Sequence, residues 1–529
     1  MTVRTIGEAL IAGLEAHGVD TVFGIPGNHT VELYRGLAAS SIRHVTPRHE
    51  QGAAFMADGY ARAGGRPGVA FVITGPGLTN AITAMAQARA DSVPMLVVSG
   101  VNQRDALGKG LGFLHELPDQ RGLMQKVALC SERIEAPEAL HGGLARAFAR
   151  MASGRPGPVH IEVPIDVMAL PAVAAAASVE PATPAPPRPA PAALAEAAAL
   201  LAGAARPLIL AGGGARRAAT PLVGLAERLG APVVTTANGR GLLYGHPLMV
   251  PASPSLTAVR ALMGDADMVL ALGTELGPTD YDMYADGGFR LPERLIRVDI
   301  DDAQLQRHPA VLRILADATA AASDLLQALP AGKPSTGGEA RAAAARQAAW
   351  QEIGPAMQAQ VRVLEMIREA LPGAILVGDS TQPVYAGNLY YDHDRPGGWF
   401  NAATGFGALG YAPPAAIGAA LAAPGVPVVC LVGDGGFQFS LAEIGAAVDA
   451  DVPVVFVVWN NRGYREIEVS MRERGIEPVG VSPAPPDFCR VADAYRIPAE
   501  RLVALEELPA ALKRARALAR PALIEIMVD

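Results

Sequence analysis

The chain has 529 residues, 50% of them hydrophobic and 18% charged; at roughly 150 residues per domain, that length calls for about three domains. Its 44 basic and 52 acidic residues leave a formal charge of −8, which excludes a strongly basic nucleic-acid binder. Cys130, Cys430 and Cys489 are too few for a disulfide framework and fit no zinc-site spacing.

The opening segment, MTVRTIGEALIAGLEAHGVD, lacks a basic stretch followed by an apolar run, so no signal peptide is expected. A reducing, cytoplasmic compartment is the simplest expectation. Short apolar, β-branched runs follow in chain order. The first third has 21–25, 69–74, 95–99 and 159–163; the middle has 208–211, 233–235, 268–272 and 295–299; the last third has 374–377, 428–432, 454–459 and 522–527. Helical stretches separate them. Buried strands alternating with helices predict parallel sheets covered on both faces. The expected fold is therefore α/β, with three doubly wound parallel-sheet domains, and ligands are expected at the carboxyl ends of the strands. The longest uncharged apolar stretch, 412–433, carries four prolines, which predicts helix, loop and strand rather than a membrane span.

Residues 171–193 (PAVAAAASVEPATPAPPRPAPAA) read as a Pro/Ala-rich linker. A weaker break lies at 330–340. The expected domains are 1–170, 194–335 and 336–529. The glycine-rich run Gly212-Gly-Gly214 follows a middle strand and reads as a tight strand-to-helix turn.

The chemistry concentrates in the last third. Run 428–432 ends in Gly433-Asp434-Gly435-Gly436, and run 454–459 ends in Asn460-Asn461. Two adjacent parallel strands would bring a carboxylate and an amide oxygen to neighbouring ends. Hard oxygen donors of that kind suit Mg²⁺, and glycines let backbone N–H groups approach a diphosphate. Either motif alone is a turn; the pair, each after a β-run, points to a site.

This pattern resembles the thiamine diphosphate (ThDP) signature of the 2-oxo acid decarboxylase and acetolactate synthase superfamily, and the resemblance extends over the whole chain. It implies an N-terminal pyrimidine-binding domain, a Rossmann-like middle domain and a C-terminal diphosphate- and Mg²⁺-binding domain. It also implies Asp434, the Asn461 side chain and the Gly463 carbonyl as Mg²⁺ ligands. Gly433, Gly435, Gly436 and Tyr464 would lie against the cofactor, with Thr381 and Gln382 at its diphosphate. Leu409, in Gly405-Phe-Gly-Ala-Leu-Gly410, would prop it in its bent form. Arg48-His-Glu-Gln-Gly-Ala53 resembles the family's activating-acid run and assigns that role to Glu50. A carboxyl beside N1′ of the aminopyrimidine favours the imino tautomer that removes the C2 proton, and decarboxylation then proceeds through a C2 ylide and an enamine. In relatives the middle domain binds FAD, ADP or nothing; FAD is allowed here but not favoured.

Substrate choice depends on the loops around this core. Thr74 lies in a Thr-Gly-Pro-Gly loop that resembles one near the family's substrate. Acetolactate synthases typically carry a Met-Val stretch and a tryptophan after the asparagine pair. The tryptophans here are Trp350, Trp399 and Trp459, none in that place. The segments around Asn28-His29, His44–Glu50, His115-Glu-Leu-Pro118 and Gly463–Ile467 look closer to decarboxylases of 5-guanidino-2-oxopentanoate (2-ketoarginine). A guanidinium substrate needs a carboxylate partner, for which Glu116, Glu466 and Glu468 are candidates. Asn28, His29 and His115 are candidates for substrate-carboxylate binding or proton transfer, and Ile467 for the pocket wall. The implied reaction is non-oxidative decarboxylation to an aldehyde. An acetolactate synthase-like carboligase acting on pyruvate and a benzoylformate-type decarboxylase are the alternatives. The expected assembly is a homodimer at minimum, with a homotetramer common in the family, and no nucleic-acid or membrane partner. A Rossmann dehydrogenase built on Gly212–Gly214 would need an acid about 20 residues on, at the next strand end, and no clear one stands there.

Overall fold

The computed structural model describes residues 4–173, 185–283, 285–331 and 336–528. They form two compact units. One comprises Met1–Pro184, Gly405–Val503 and Arg514–Asp529; the other comprises Ala185–Thr404 and Ala504–Lys513.

The first unit opens with β1 (Thr21–Gly24), β2 (Arg43–Val45), β3 (Gly68–Val72), β4 (Met95–Val101), β5 (Ser131–Arg133) and β6 (Pro158–Pro164). All pairings are parallel, in the order β2-β1-β3-β4-β6-β5. Strands β1, β3, β4 and β6 are buried at every position, as expected where helices cover both faces. The order reverses between β1 and β3, so the loops after these two strands border a natural ligand crevice.

The second unit holds β7 (Pro207–Ala211), β8 (Val233–Thr235), β9 (Met249–Val250), β10 (Met268–Leu272), β11 (Leu295–Asp299) and β12 (Leu312–Leu315), in the order β12-β11-β10-β7-β8-β9. It also holds the parallel pair β13 (Ile375–Gly378) and β14 (Trp399–Asn401). The Gly212–Gly214 run forms a tight turn whose Gly214 N–H donates to Gly273 O at 3.0 Å. The first unit resumes with β15 (Val428–Gly433), β16 (Val454–Asn460), β17 (Ala499–Leu502) and β18 (Ala522–Met527), laid parallel as β15-β16-β18-β17. The architecture is α/β with three parallel sheets.

Helix Ala412–Ala422 precedes β15 and crosses the helix Glu50–Gly64 in backbone contact. A Cβ at Gly59 would strike the Ala415 backbone, and one at Gly418 would strike the Met56 carbonyl. Buried polar groups fasten the crossing. Arg62 pairs with Asp58 and Asp91, each at 2.7 Å, and the Tyr411 hydroxyl donates to Asp58 Oδ1 at 2.6 Å. The stretch 412–433 is thus helix, loop and strand, as its prolines imply.

Within the Pro/Ala-rich stretch, residues 174–184 lie outside the described residues, as do 332–335 of the weaker break. Pro191 occupies the first position of the helix Pro191–Ala202, where its missing N–H costs nothing. Cys130, Cys430 and Cys489 form no disulfide. Among the described residues no helix is long and apolar enough to cross a membrane.

Candidate cofactor and active site

Strands β15 and β16 run in register up to Gly433 opposite Trp459. Asp434 and the Asn460-Asn461 pair therefore emerge at neighbouring carboxyl ends. Asp434 opens the helix Asp434–Gln438 and is 1% exposed. Its Oδ1 accepts the Asn461 N–H at 3.3 Å. Burial pushes its carboxyl above the ordinary value, while the N–H groups of Asn461, Asp434 itself, Gly463 and Gly435 pull it down. Asn460 is turned away; its amide donates to Glu525 Oε1 at 2.7 Å. That leaves Asn461 as the asparagine beside Asp434. Tyr464 follows, its N–H bonded to Val481 O at 2.8 Å.

A buried carboxylate surrounded by amide N–H groups gains from a cation, because its own desolvation is otherwise poorly offset. The donor chemistry of Asp434, the Asn461 amide and the Gly463 carbonyl, all hard oxygens, is of the kind that suits Mg²⁺. Next to Asp434, the Tyr464 ring packs on Gly435: a Cβ there would stand 2.5 Å from the ring. Gly433 and Gly436 flank it, one ending β15 and the other buried in the first helical turn. These residues fit a diphosphate bound through a metal.

Glu50 is the first residue of its helix, and the preceding His49 caps it by accepting the Gln51 N–H at 3.1 Å. The Glu50 carboxylate is half-buried and accepts from Asn80 Nδ2 at 2.9 Å. Asn80 is missed by sequence reasoning as a partner. The two lie thirty positions apart, on different helices, and no local spacing joins them.

At the switch point, the loops after β1, β3 and β4 converge. Gly100 admits no side chain: a Cβ would stand 2.5 Å from His29 O and 3.1 Å from Thr74 Oγ1. The rings of His29 and His115 meet edge-on with centroids 5.3 Å apart. Burial, then the neighbouring His115, holds His29 below the usual imidazole value. Thr74 Oγ1 and the Nδ1 atoms of both histidines are buried without a protein hydrogen-bond partner. Asn28 opens the short 3₁₀ turn Asn28–Thr30 on the same loop and is exposed. Gln120, a second residue that sequence reasoning misses, holds the loop from below by accepting the Gly75 N–H at 3.0 Å.

The three candidate acids differ. Glu116 accepts the N–H groups of Leu111, Gly112 and Phe113 at 3.2, 2.7 and 3.0 Å, which ties down its own loop. Glu468 is held by Arg465 at 3.0 Å and Arg472 at 2.8 Å. Glu466 stands in the first turn of the helix Arg465–Glu473, two residues beyond Tyr464, and Ile467 beside it is 54% exposed. Leu409 is half-buried in an irregular loop that ends at Gly410, against the Phe439 side chain. In the second unit, Thr381 precedes the helix Gln382–Leu389 at its N-cap position, 5% exposed, and its hydroxyl makes no capping bond.

Family models match along the chain in three blocks. The N-terminal thiamine pyrophosphate (TPP) binding domain matches 4–123, the central domain 194–329 and the C-terminal TPP binding domain 379–526. The chain is 44% identical over 529 residues to a "Probable 2-ketoarginine decarboxylase" of Pseudomonas aeruginosa, covering 99% of this chain and 94% of that protein. It is 31% identical to a "Probable acetolactate synthase large subunit" of Methanocaldococcus jannaschii, covering 99% and 91%. It is also 31% identical to an acetolactate synthase of Mycobacterium bovis, covering 97% and 86%. Sequence similarity over nearly the whole length shows the family: the chain belongs to the thiamine pyrophosphate enzymes, within the 2-oxo acid decarboxylase and acetolactate synthase superfamily.

Proposed function

We propose that this protein is a Mg²⁺- and ThDP-dependent decarboxylase that converts 5-guanidino-2-oxopentanoate and one proton to the corresponding aldehyde and CO₂. The observation that carries the chemistry is a Glu50 carboxylate fixed by Asn80 together with a buried Asp434 beside Asn461; in the dimer that the family resemblance implies, Glu50 of one subunit would face Asp434 of the other. The 44% identity to a probable 2-ketoarginine decarboxylase supports the substrate.

The cofactor, when bound, supplies the nucleophilic carbon and the electron sink that 2-oxo acid decarboxylation needs. The chain's residues do the rest. Asp434, Asn461 and the Gly463 carbonyl hold Mg²⁺. Gly433, Gly435 and Gly436 let the backbone approach the diphosphate, with Thr381 and Gln382 as further donors. Leu409 props the cofactor and Tyr464 walls it. Glu50 holds a proton against the pyrimidine nitrogen, and Asn80 fixes which way that carboxyl points. Thr74, His29 and His115, with buried polar atoms left open to a ligand, receive the substrate carboxylate and deliver the proton to product; Asn28 lies on the same loop. For the guanidinium end, the candidate acids are Glu116, Glu466 and Glu468, a carboxylate being what a buried guanidinium needs.

We further propose the division 1–170, 194–335 and 336–529 as pyrimidine-binding, central and diphosphate-binding domains, a cytoplasmic location, and a homodimer at minimum. Large exposed apolar side chains near the Leu409 loop, Phe406 at 56% and Phe439 at 59%, suit burial against a second copy. Acetolactate synthase-like carboligation of pyruvate is the second reading, favoured by the 31% identities and disfavoured by the missing tryptophan after Asn461.

The experiment is CO₂ release from pyruvate, 2-oxoisovalerate, benzoylformate and 5-guanidino-2-oxopentanoate, with ThDP and Mg²⁺ present or withheld. Cofactor-dependent release selective for the guanidino acid is expected. Selective pyruvate turnover with acetolactate formation would move the protein to the carboligase reading.

A further inference from the structure

A second buried carboxylate stands at the entrance of the Glu50 helix. Nine residues after Asp434, the 3₁₀ turn Leu441–Glu443 brings in Glu443, which is 1% exposed. Its Oε1 accepts the N–H of Arg48 at 3.0 Å and of His49 at 3.1 Å, and its Oε2 accepts Arg48 N–H at 3.1 Å. The Arg48 guanidinium goes elsewhere, to Asp449 at 2.6 Å and to Thr46 O at 2.9 Å. Glu443 therefore serves the backbone of the two residues before Glu50. Gly52 completes the fit: a Cβ there would lie 2.7 Å from Glu443 Cδ.

Amide donors at a helix entrance need acceptors, and a carboxylate is favoured there by the helix dipole. An acid buried from water is nevertheless costly. Burial pushes the Glu443 carboxyl up to about 7, against the pull of the Arg48 and His49 N–H groups and the Arg48 charge. A surface aspartate or serine would cap the helix at less cost. What Glu443 adds is a tie between the segment that carries Asp434 and the backbone that carries Glu50.

We propose that Glu443 is a positioning residue for Glu50: by fixing the Arg48–His49 backbone, it sets the direction in which the Glu50 carboxyl meets the cofactor. Glu50 then has two anchors, Glu443 on the Arg48–His49 backbone before it and Asn80 on its side chain. The proposal rests on the reading of Glu50 as the activating acid.

The test is exchange of the cofactor C2 proton for deuterium in the full chain loaded with ThDP and Mg²⁺, read by NMR after acid quench. It needs no substrate, so it is independent of which 2-oxo acid turns over. Variants are Glu443→Ala, Glu443→Gln and Gly52→Ala, each alone and combined with Glu50→Gln. Misplacing a reacting group by about 1 Å costs up to about 100-fold. Glu443→Ala is therefore expected to slow exchange by about 10- to 100-fold, with ThDP affinity within about threefold. Glu443→Gln, which keeps an acceptor oxygen, recovers part of the rate. Gly52→Ala, which displaces the carboxyl without removing it, slows exchange as well and carries the test should Glu443→Ala not fold. In the Glu50→Gln background none of them slows exchange further. Wild-type exchange in both Glu443→Ala and Gly52→Ala, or a slowing that persists undiminished beside Glu50→Gln, overturns the proposal alone. Wild-type exchange in Glu50→Gln itself overturns the reading of Glu50 and the proposal with it.

Discussion

The Tyr464 ring lies directly over Gly435, leaving no space for a side chain between them: a Cβ at 435 would sit 2.5 Å from ring atom Cε1. The contact joins the turn after β15 to the segment after β16 and closes one side of the Asp434 site. Gly435→Ala should displace the ring and disturb the turn beside Asp434, where the proposed diphosphate site lies. ThDP affinity, measured by titration calorimetry in excess Mg²⁺, is expected to fall by at least about tenfold, the equivalent of about 1.4 kcal/mol. A mere overpacking effect would lower thermal stability with affinity unchanged, and that result would remove Gly435 from the cofactor site.

Glu50 and Asn80 make a separable pair. Glu50→Gln keeps the shape and the bond to Asn80 but removes the proton. Turnover should drop by about 10²–10⁴-fold, the usual range for a lost general acid–base group, with ThDP affinity nearly unchanged. Asn80→Ala leaves the carboxyl in place but frees it to rotate, and about a tenfold loss in kcat with little change in KM is expected. The two losses should not add when combined, because both act on one carboxyl. Full additivity in steady-state kinetics would place Asn80 outside the mechanism.

The interior of the fold was legible in the sequence. Every strand expected from an apolar β-branched run is present. The strands it missed, β2, β5, β9, β12, β14 and β17, each pair on one side only in the described ladders. They are short, or half-exposed as in β2, β12 and β17, so they have no unbroken apolar run to read. The site divides similarly. Asp434 and Asn461 follow strands within one motif, and the register of β15 with β16 brings them together. Asn80 meets Glu50, and Glu443 the Arg48–His49 backbone before it, only through tertiary packing, which no spacing in the sequence encodes. Glu116 and Glu468 are equally opaque, since whether an acid is committed to an arginine or a loop is decided by neighbours in space.

Metal binding can be tested apart from turnover. A ligand that binds only the folded state raises the melting temperature. ThDP with Mg²⁺ should therefore stabilise the wild-type protein, and EDTA should abolish most of that gain. Asp434→Asn keeps the volume but removes the charge that a cation needs. It should weaken Mg²⁺-dependent ThDP binding by at least about 100-fold while the apo protein melts at or slightly above the wild-type temperature, because a buried charge is gone. Equal ThDP-induced shifts in variant and wild type, seen by differential scanning calorimetry, would exclude Asp434 as a ligand.

The last prediction concerns acid stability and His160, which lies in β6 and is fully buried. Its Nε2 meets Ser99 Oγ at 2.9 Å and its Nδ1 meets Ser131 Oγ at 2.7 Å, so both nitrogens are matched in the neutral form. Gln120 links Ser99 to the buried Glu162, which is itself paired with Arg133 at 2.6 Å. Burial pushes the imidazole down to about 3, from an ordinary 6.5. The sign follows from proton counting. Between those two values the unfolded chain binds a proton at this position and the folded chain does not, so stability falls as pH drops from about 6.5 towards 3. Each pH unit between the two values is worth roughly 1.4 kcal/mol, so the loss reaches several kcal/mol. His160→Gln removes this titration. At pH 7 it should lose about 1–2 kcal/mol through imperfect bonding to the two serines, yet between pH 6.5 and 4 its stability should decline less steeply than that of the wild type. Urea unfolding of both proteins across that range measures the two slopes. Equal slopes would mean that His160 takes up its proton in the folded state, and that the Ser99–His160–Ser131 network opens before the chain unfolds.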